Sequence, residues 1–162
     1  MLSRATMTQP DYSLLAAQAE ALISDEADSL ANVCNLVGLL YNELDDVNWL
    51  GIYVLRGEEL VLGPFQGKPA CVRIAVGSGV CGTAAATRQT QRVASVHEFP
   101  GHIVCDETSE SELVVPLIVD GELVGVLDID SPSRDRFSEV EQSGIETICE
   151  QFCAALSGKD FI

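Results

Sequence analysis

Apolar residues recur with helical spacing at both ends of the chain. From residue 11 to 23 they lie three or four positions apart, and after a break at residues 24–26 a second stripe continues to about Leu44. A third stripe follows Ser138, a residue type favoured as a helix N-cap, and continues to Leu156. These three segments therefore predict amphipathic helices.

Three of the six cysteines lie in these helical segments. Cys34 falls on the apolar edge of the second stripe, and Cys149 and Cys153 lie one turn apart on or beside the third. A free cysteine commonly packs as a small hydrophobic residue. We therefore expect these three cysteines to be buried in the core, and we assign them no role in chemistry.

The middle of the chain alternates with a period of two. Residues 47–55 and 60–65 predict one β-hairpin, and residues 112–119 and 122–130 predict another, joined by Asp120-Gly121. Between the hairpins, residues 79–87 predict a short helix, residues 91–96 a strand and residues 97–109 a polar loop. The pattern predicts an α+β domain over residues 11–158, between a flexible N-terminal segment (1–10) and a C-terminal tail (159–162). It has a central antiparallel sheet with the N- and C-terminal helices on one face and a loop-covered pocket on the other.

The first strand sorts its side chains into two different sets. Leu50, Ile52 and Val54 suit a packed core, whereas Trp49 and Tyr53 point the other way with a glycine between them. Two aromatic residues beside a bare glycine predict a flat, open shelf. Such a shelf is either part of a second small core or a platform for a ligand.

The second hairpin predicts a cluster of acids. Asp128 and Asp130 share one strand face with the preceding Val124 and Val126, and the hairpin register places Glu112 opposite them. An apolar strand that emerges into solvent is the alternative explanation. If the three acids converge, their repulsion raises at least one pKa, and a protonated carboxylic acid can then donate a proton to a substrate.

Composition narrows the class of function. The net charge of −16, with nine scattered basic residues, argues against nucleic-acid binding. No apolar run is long enough for a membrane span and the N-terminus does not resemble a secretion signal, so we expect a cytoplasmic protein. Six cysteines in such a compartment do not predict a disulfide framework, and the absence of C-x-x-C spacing argues against a zinc ribbon or finger. A redox or nucleophilic role is therefore the remaining explanation for the cysteines.

The other three cysteines, Cys71, Cys81 and Cys105, lie in Gly-rich or loop-like sequence together with His97 and His102. A free thiol is only about 3% ionised at neutral pH, and neighbouring acids do not help Cys105 to ionise. Its reaction must then be driven by protonation of the substrate, as for a sulfoxide S=O. A carboxylic acid can supply that proton, so we expect positioning or structural roles for both histidines.

Four segments carry a specific resemblance: NWLGIYVL, GPFQGKPACVRIAVGSGVCGTAA, FPGHIVCDETSESELVVP and GVLDIDSP. They closely resemble the free methionine-(R)-sulfoxide reductases, which are GAF-domain enzymes that act on free methionine (R)-sulfoxide. The resemblance covers residues 48–137 and implies a GAF-like fold. It also implies that no cofactor is bound, that electrons come from thioredoxin (and so from NADPH through thioredoxin reductase), and that the protein is a homodimer.

The resemblance also implies the roles of the site residues. Cys105 is the nucleophile, Cys71 resolves its sulfenic acid by forming a disulfide, and Cys81 is an auxiliary or alternative resolving thiol. Five further residues bind the substrate in this scheme, with the acids holding the amine and polarising the sulfoxide oxygen and the aromatics receiving the S-methyl end: Trp49, Tyr53, Glu112, Asp128 and Asp130. No metal ligand is implied.

Two other classes of function compete with the reductase. A GAF-type sensory module would bind a ligand without turnover, although the chain length leaves no room for an output domain. A metal-binding structural protein is disfavoured by the cysteine spacing. The reductase hypothesis makes a geometric prediction: Cys71 and Cys105 must approach within about 6 Å, Cα to Cα, in the oxidised form.

Overall fold

The computed structural model describes residues 9–162, so most of the predicted N-terminal segment (residues 1–8) lies outside the described residues. None of the helices in this range is long and apolar enough to cross a membrane. The elements of residues 9–162 are, in chain order, α1 (Tyr12–Ile23), α2 (Ser29–Glu43), β1 (Trp49–Arg56), β2 (Glu59–Gln66), β3 (Arg73–Ala75), α3 (Gly79–Thr87), β4 (Gln91–Val93), a 3₁₀ helix (Val96–Glu98), β5 (Ser111–Val119), β6 (Glu122–Ser131) and α4 (Glu139–Ala155).

The strands form one six-stranded antiparallel sheet in the order β3-β2-β1-β6-β5-β4. The two predicted hairpins are β1–β2 and β5–β6, and they join through β1 and β6 at the centre. Helices α1, α2 and α4 cover one face, whereas α3 packs against the other face over β5 and β6. The predicted α+β architecture is confirmed.

The face beneath α1, α2 and α4 holds the larger apolar core. Leu50, Ile52 and Val54 of β1 point into it as predicted, beside alternate residues of β5 and β6. The helices start at local capping groups: the side chains of Asp11 and Asp28 accept backbone N–H groups of α1 and α2. The last helix starts as predicted at Ser138, which forms a reciprocal capping box with Glu141.

Cys34 differs from the sequence-based expectation. It is exposed, because α2 buries Asn32, Val33 and Leu36 and so turns the edge that carries Cys34 towards solvent. Cys149 and Cys153 are buried in the helix-covered core, as expected.

The sheet differs from the prediction at three places. Strand β4 ends at Val93, whereas the predicted strand continues to residue 96. Strand β3 was not predicted, because its three residues are too few to show an alternation of side chains. The β5–β6 ladder also shifts register between Leu117 and Ile118. As a result Val124 packs against the helix-covered core instead of sharing the face of Val126.

Candidate active site

The three central strands place the predicted acids in adjacent rows on the face away from the terminal helices. Asp130 on β6 lies between Trp49 on β1 and Glu112 on β5. In the next row Asp128 lies opposite Gly51. The predicted register, with Glu112 opposite the Asp128–Asp130 end, is therefore present.

Burial determines the protonation of this cluster. Glu112 and Asp128 are each 6% exposed, and Asp130 is partly exposed. Burial raises the pKa of Asp128 to about 6. Burial, and then the charge of Asp128, raise the pKa values of Glu112 and Asp130 well above their ordinary range. These shifts favour the protonated forms of the acids, and Glu112 has the environment of a neutral carboxylic acid.

Helix α3 brings Cys81 onto the acids. The Cys81 thiol is buried and donates to Glu112 Oε1 across 3.7 Å. Burial, and then the charges of Asp128 and Glu112, raise the pKa of this thiol well above its ordinary value. Cys81 is therefore a hydrogen-bonding thiol at neutral pH, whereas Asp128 Oδ1 is buried with no hydrogen-bond partner among the described residues.

The aromatic residues do not form the open shelf that the sequence suggests. Trp49 and Tyr53 are buried, and the Trp49 ring stacks between Tyr53 and Phe65. The ring lies over Gly51, where an added Cβ would come within 2.5 Å of both Trp49 and Phe65. The glycine thus provides the space for the indole, and the edge of the stack still lines the site cavity.

A disulfide joins Cys71 and Cys105, whose Cα atoms are 5.5 Å apart. The pairing is the one that the resemblance implies, and the separation lies within the predicted limit. The Tyr53 hydroxyl donates to the Cys71 carbonyl across 2.9 Å. The aromatic stack therefore anchors the segment that carries one of the two paired cysteines.

Asn48 is a site residue that sequence reasoning did not identify. Its side-chain amide donates to Asp106 across 3.4 Å and to Thr108 and Ser109 across 3.2 Å each. Asn48 thereby fastens the segment after Cys105 to the start of β1. Its presence in the NWLGIYVL segment was the available signal, but its partners lie too far away in sequence to be predicted.

The segment after Cys105 carries its own negative charge. Thr108 donates its hydroxyl and its backbone N–H to Asp106, across 2.7 and 2.9 Å. These bonds hold the pKa of Asp106 below its ordinary value, so this carboxyl is ionised at neutral pH. As expected from the sequence, it gives Cys105 no help in ionising.

The two histidines occupy different positions. His102 lines the site, and burial, and then the charge of His97, lower its pKa. His97 is exposed and faces Glu110, with Nε2 and Oε2 3.4 Å apart. Only His102 is therefore placed to contact a ligand, as a neutral imidazole.

A cavity of about 40 Å³ lies at the centre of these groups. None of the described residues that line it is Lys or Arg, so the cavity favours a cation or a protonated amine. The chemically reactive or aromatic residues of its lining include seven of the eight predicted site residues, all except Cys71: Trp49, Tyr53, Cys81, Cys105, Glu112, Asp128 and Asp130.

Comparisons with known proteins agree with this geometry. The GAF domain family matches residues 15–156. The free methionine-R-sulfoxide reductase of Escherichia coli is 50% identical over 141 residues, which are 87% of this chain and 86% of that protein. The yeast enzyme of the same name, from Saccharomyces cerevisiae, is 46% identical over 127 residues, 75% of this chain and 71% of that protein.

A solved structure extends the agreement to three dimensions. The fRMsr of Staphylococcus aureus in complex with substrate superposes with a TM-score of 0.89 at 48% identity, covering 94% of this chain and 99% of that one. The fold and the site thus define a GAF-domain protein. Within that class, the chain belongs to the free methionine-R-sulfoxide reductase family of oxidoreductases.

Proposed function

We propose that this protein reduces free L-methionine (R)-S-oxide to L-methionine, with Cys105 as the nucleophile and Cys71 as the resolving thiol. The observation that carries the proposal is the position of Cys105, which is paired with Cys71 and lines the same cavity as three acids, of which Glu112 is buried and has a raised pKa. A thiol that can be oxidised and a proton source are the two groups that sulfoxide reduction requires.

In the first step the Cys105 thiolate attacks the sulfoxide sulfur while a neutral acid protonates the oxygen. The attack forms a transient bond between the two sulfur atoms. The hydroxyl group then passes from the substrate sulfur to the Cys105 sulfur as the S–O and S–S bonds break, so methionine leaves with the electron pair on its sulfur and Cys105 becomes a sulfenic acid. The sulfoxide is reduced by two electrons and the thiol is oxidised by two. Glu112 is the proton donor in this scheme because its pKa is raised well above its ordinary value by burial and by the charge of Asp128.

In the second step the Cys71 thiol attacks the sulfenic sulfur, and water leaves as the disulfide forms. Thioredoxin then reduces this disulfide by thiol–disulfide exchange, and its electrons come from NADPH through thioredoxin reductase. The short separation of the two Cα atoms supports Cys71 as the partner. No bound cofactor is needed, because each electron pair passes through sulfur.

Substrate recognition follows from the charge and shape of the lining. Asp128 and Asp130 accept hydrogen bonds from the substrate ammonium, which the cavity favours because no cationic side chain among the described residues lines it. Trp49 and Tyr53 provide the apolar wall for the S-methyl end. A free amine is part of this recognition, so methionine sulfoxide within a peptide is excluded.

Cys81 has an auxiliary role in this proposal. Its burial and its hydrogen bond to Glu112 support a thiol that orients the proton donor. A resolving thiolate at this position would have to form beside two acids, which the raised pKa disfavours. We therefore assign resolution to Cys71.

A coupled assay tests the proposal. Purified protein with thioredoxin, thioredoxin reductase and NADPH is expected to oxidise NADPH with free methionine (R)-sulfoxide, but not with the (S) isomer or the N-acetylated substrate. Cys105→Ser is expected to lower turnover by at least ~10³-fold. Cys34→Ser is the matched control, because Cys34 is an exposed thiol on α2, and its turnover is expected to remain unchanged. Full turnover in Cys105→Ser would overturn the proposal.

We also infer a homodimer in the cytoplasm, where dithiol reductants operate. An open groove between α1 and α4 supports self-association, since its lining includes Ala16, Ala17, Val140 and Gly144, and Val140 is 62% exposed. Light scattering on purified protein tests this inference: a mass of two chains is expected, and Val140→Glu is expected to shift it towards one.

A further inference from the structure

Cys81, Glu112 and Asp128 form a constellation with metal-ligand chemistry. One ligand atom from each lies within 4.8 Å of the other two, and the sulfur lies 3.7 Å from Glu112 Oε1. Zinc–sulfur and zinc–oxygen bonds of about 2.3 and 2.0 Å separate tetrahedral sulfur and oxygen ligands by roughly 3.5 Å. The three side chains therefore need to move only slightly to share one ion.

A second observation points to a ligand at the same place. Asp128 is 6% exposed, lines the cavity and leaves Oδ1 without a hydrogen-bond partner among residues 9–162. A buried carboxylate oxygen without a partner is costly. The described lining offers no Lys or Arg beside this oxygen, so a cation bound in the cavity would supply a partner for it.

The donor set determines which cation fits. Mg²⁺ and Ca²⁺ require six or more oxygen ligands, whereas a thiolate with two carboxylates suits a thiophilic ion such as Zn²⁺ or Cd²⁺. Three protein ligands also leave a fourth position open to water. The ligands come from α3, β5 and β6, which explains why the spacing of the cysteines gives no sign of the site.

We propose that Cys81, Glu112 and Asp128 bind one thiophilic divalent cation, and that this ion and the sulfoxide substrate exclude each other from the cavity. Metal binding is independent of the proposed function. The competition with the substrate rests on the proposed function, because the substrate ammonium is assigned to the same acids.

Metal binding at this site must release protons. A thiol or a carboxylic acid must lose its proton when it becomes a metal ligand. Affinity is therefore expected to rise with pH. The other titratable groups that face the cluster are Asp130, Asp106, His102 and Tyr53, and Asp106 adds negative charge that favours the bound ion.

Cd²⁺ is the probe, because a thiolate–cadmium bond has its own ultraviolet charge-transfer absorption. The oxidised protein is titrated, so that Cys71 and Cys105 remain in their disulfide and cannot bind the metal. We expect the absorption to saturate at one ion per chain and to vanish in Cys81→Ser. Glu112→Gln keeps the thiol and is expected to weaken binding by at least ~10-fold. Circular dichroism tests whether each variant is folded. If Cys81→Ser does not fold, the weaker binding expected for Glu112→Gln tests the proposal.

Two control variants locate the ion. Cys34→Ser removes an exposed thiol, and Cys149→Ala removes a buried thiol of the helix-covered core. Both are expected to bind Cd²⁺ as the unmodified protein does. Absorption that survives in Cys81→Ser, or that disappears in Cys149→Ala, would place the metal elsewhere and overturn the proposal.

Competition is measured on the same oxidised protein, which cannot turn over. Free methionine (R)-sulfoxide is expected to raise the apparent Kd for Cd²⁺ linearly with its concentration, and Zn²⁺ is expected to displace Cd²⁺. Cadmium binding that the sulfoxide does not affect would overturn the shared site. Failure of the NADPH-coupled assay alone would leave the metal titration unchanged, so the two proposals fail separately.

Discussion

The two faces of the central strands are buried to a similar degree but have different chemistry. In β6, Ile129 is fully buried beneath the helices, while its neighbour Asp128 is 6% exposed on the opposite face. The helix-covered face is mainly aliphatic along β1, β5 and β6. The cavity face carries acids, a thiol and a stacked indole. The alternation of side chains along a strand thus separates residues that stabilise the fold from residues that form the site.

Buried thiols occur on both faces of the sheet, and their surroundings differ in the same way as the faces do. Cys149 and Cys81 both have pKa values raised above the ordinary value, and burial is the largest cause for each. The nearby charges differ, however. The charges that raise the pKa of Cys149 are those of Cys153, Glu146 and Glu150, whereas Cys81 donates to the buried Glu112 and lies within 4.8 Å of a carboxylate oxygen of the buried Asp128. Burial alone therefore does not identify a functional thiol; its partners do.

Ile129→Ala is the substitution with the largest expected effect on stability. It removes a fully buried aliphatic side chain from the core beneath α1, α2 and α4. The free energy of unfolding is expected to fall by about 2–5 kcal/mol, measured by urea denaturation. The folded fraction is expected to keep its turnover, because Ile129 points away from the cavity. A selective loss of turnover with unchanged stability would contradict the division between the faces.

Asp128→Asn tests the neighbouring position on the opposite face. Folding raises the pKa of Asp128 from its ordinary value of 3.8 to about 6. The protonated acid therefore stabilises the fold below pH 4, and this stability is lost as the pH rises through 6. Asn removes the charge, so the variant is expected to gain up to about 3 kcal/mol relative to the unmodified protein between pH 4 and pH 8.

Urea denaturation at several pH values measures this gain, and turnover is expected to fall although stability rises. Asp120→Asn is the control, because Asp120 lies in an exposed turn and its pKa is lowered by a hydrogen bond from Ser157. It should show no gain above pH 6. Equal pH profiles for the unmodified protein and Asp128→Asn would show that Asp128 is not a source of buried charge.

The second hairpin shows what the sequence could predict. Asp120 and Gly121 have the positive φ angles that a tight hairpin turn requires, and this turn brings the Glu112 end of β5 beside the Asp130 end of β6. The register shift between Leu117 and Ile118 then sets Glu112 directly opposite Asp130. The shared face of Asp128 and Asp130, and the face of each β1 residue, follow from the alternation. Local patterns could thus predict that the three acids lie at one end of the hairpin, but not the shift that brings Glu112 onto the face of Asp130.

Other features depend on contacts that are distant in sequence. The register shift near Val124 leaves no trace, because valine suits either face of the sheet. Cys34 lies at the edge of a stripe, where a small rotation of α2 decides between core and solvent. The contact of Cys81 with Glu112 depends on how α3 lies across the sheet, which periodicity cannot show.

Gly51→Ala probes the aromatic stack of the cavity face. The added Cβ would come within 2.5 Å of the Trp49 ring and of Phe65, so the indole must shift. We expect a loss of stability of roughly 1–3 kcal/mol and a higher KM for the sulfoxide, because Trp49 lines the cavity. Gly38→Ala on α2 has open space around the new Cβ and serves as the control. A stable variant with unchanged KM would show that the indole does not contact the substrate.

Asn48→Ala is expected to have the smallest effect on stability, and its effect should be confined to the segment after Cys105. The substitution removes the amide that donates to Asp106, Thr108 and Ser109, a loss of about 1 kcal/mol in total because these long bonds are partly exposed.

The decisive readout is the rate at which the Cys71–Cys105 disulfide forms after one turnover, followed by quenched-flow thiol labelling. Asn48 holds only the Cys105 side of the pair, so its loss should slow the approach of Cys71 to the sulfenic acid without changing the attack on the substrate. Asn42→Ala, on the exposed end of α2, provides the matched control. If both steps slow equally, Asn48 supports the whole site and not only the segment after Cys105.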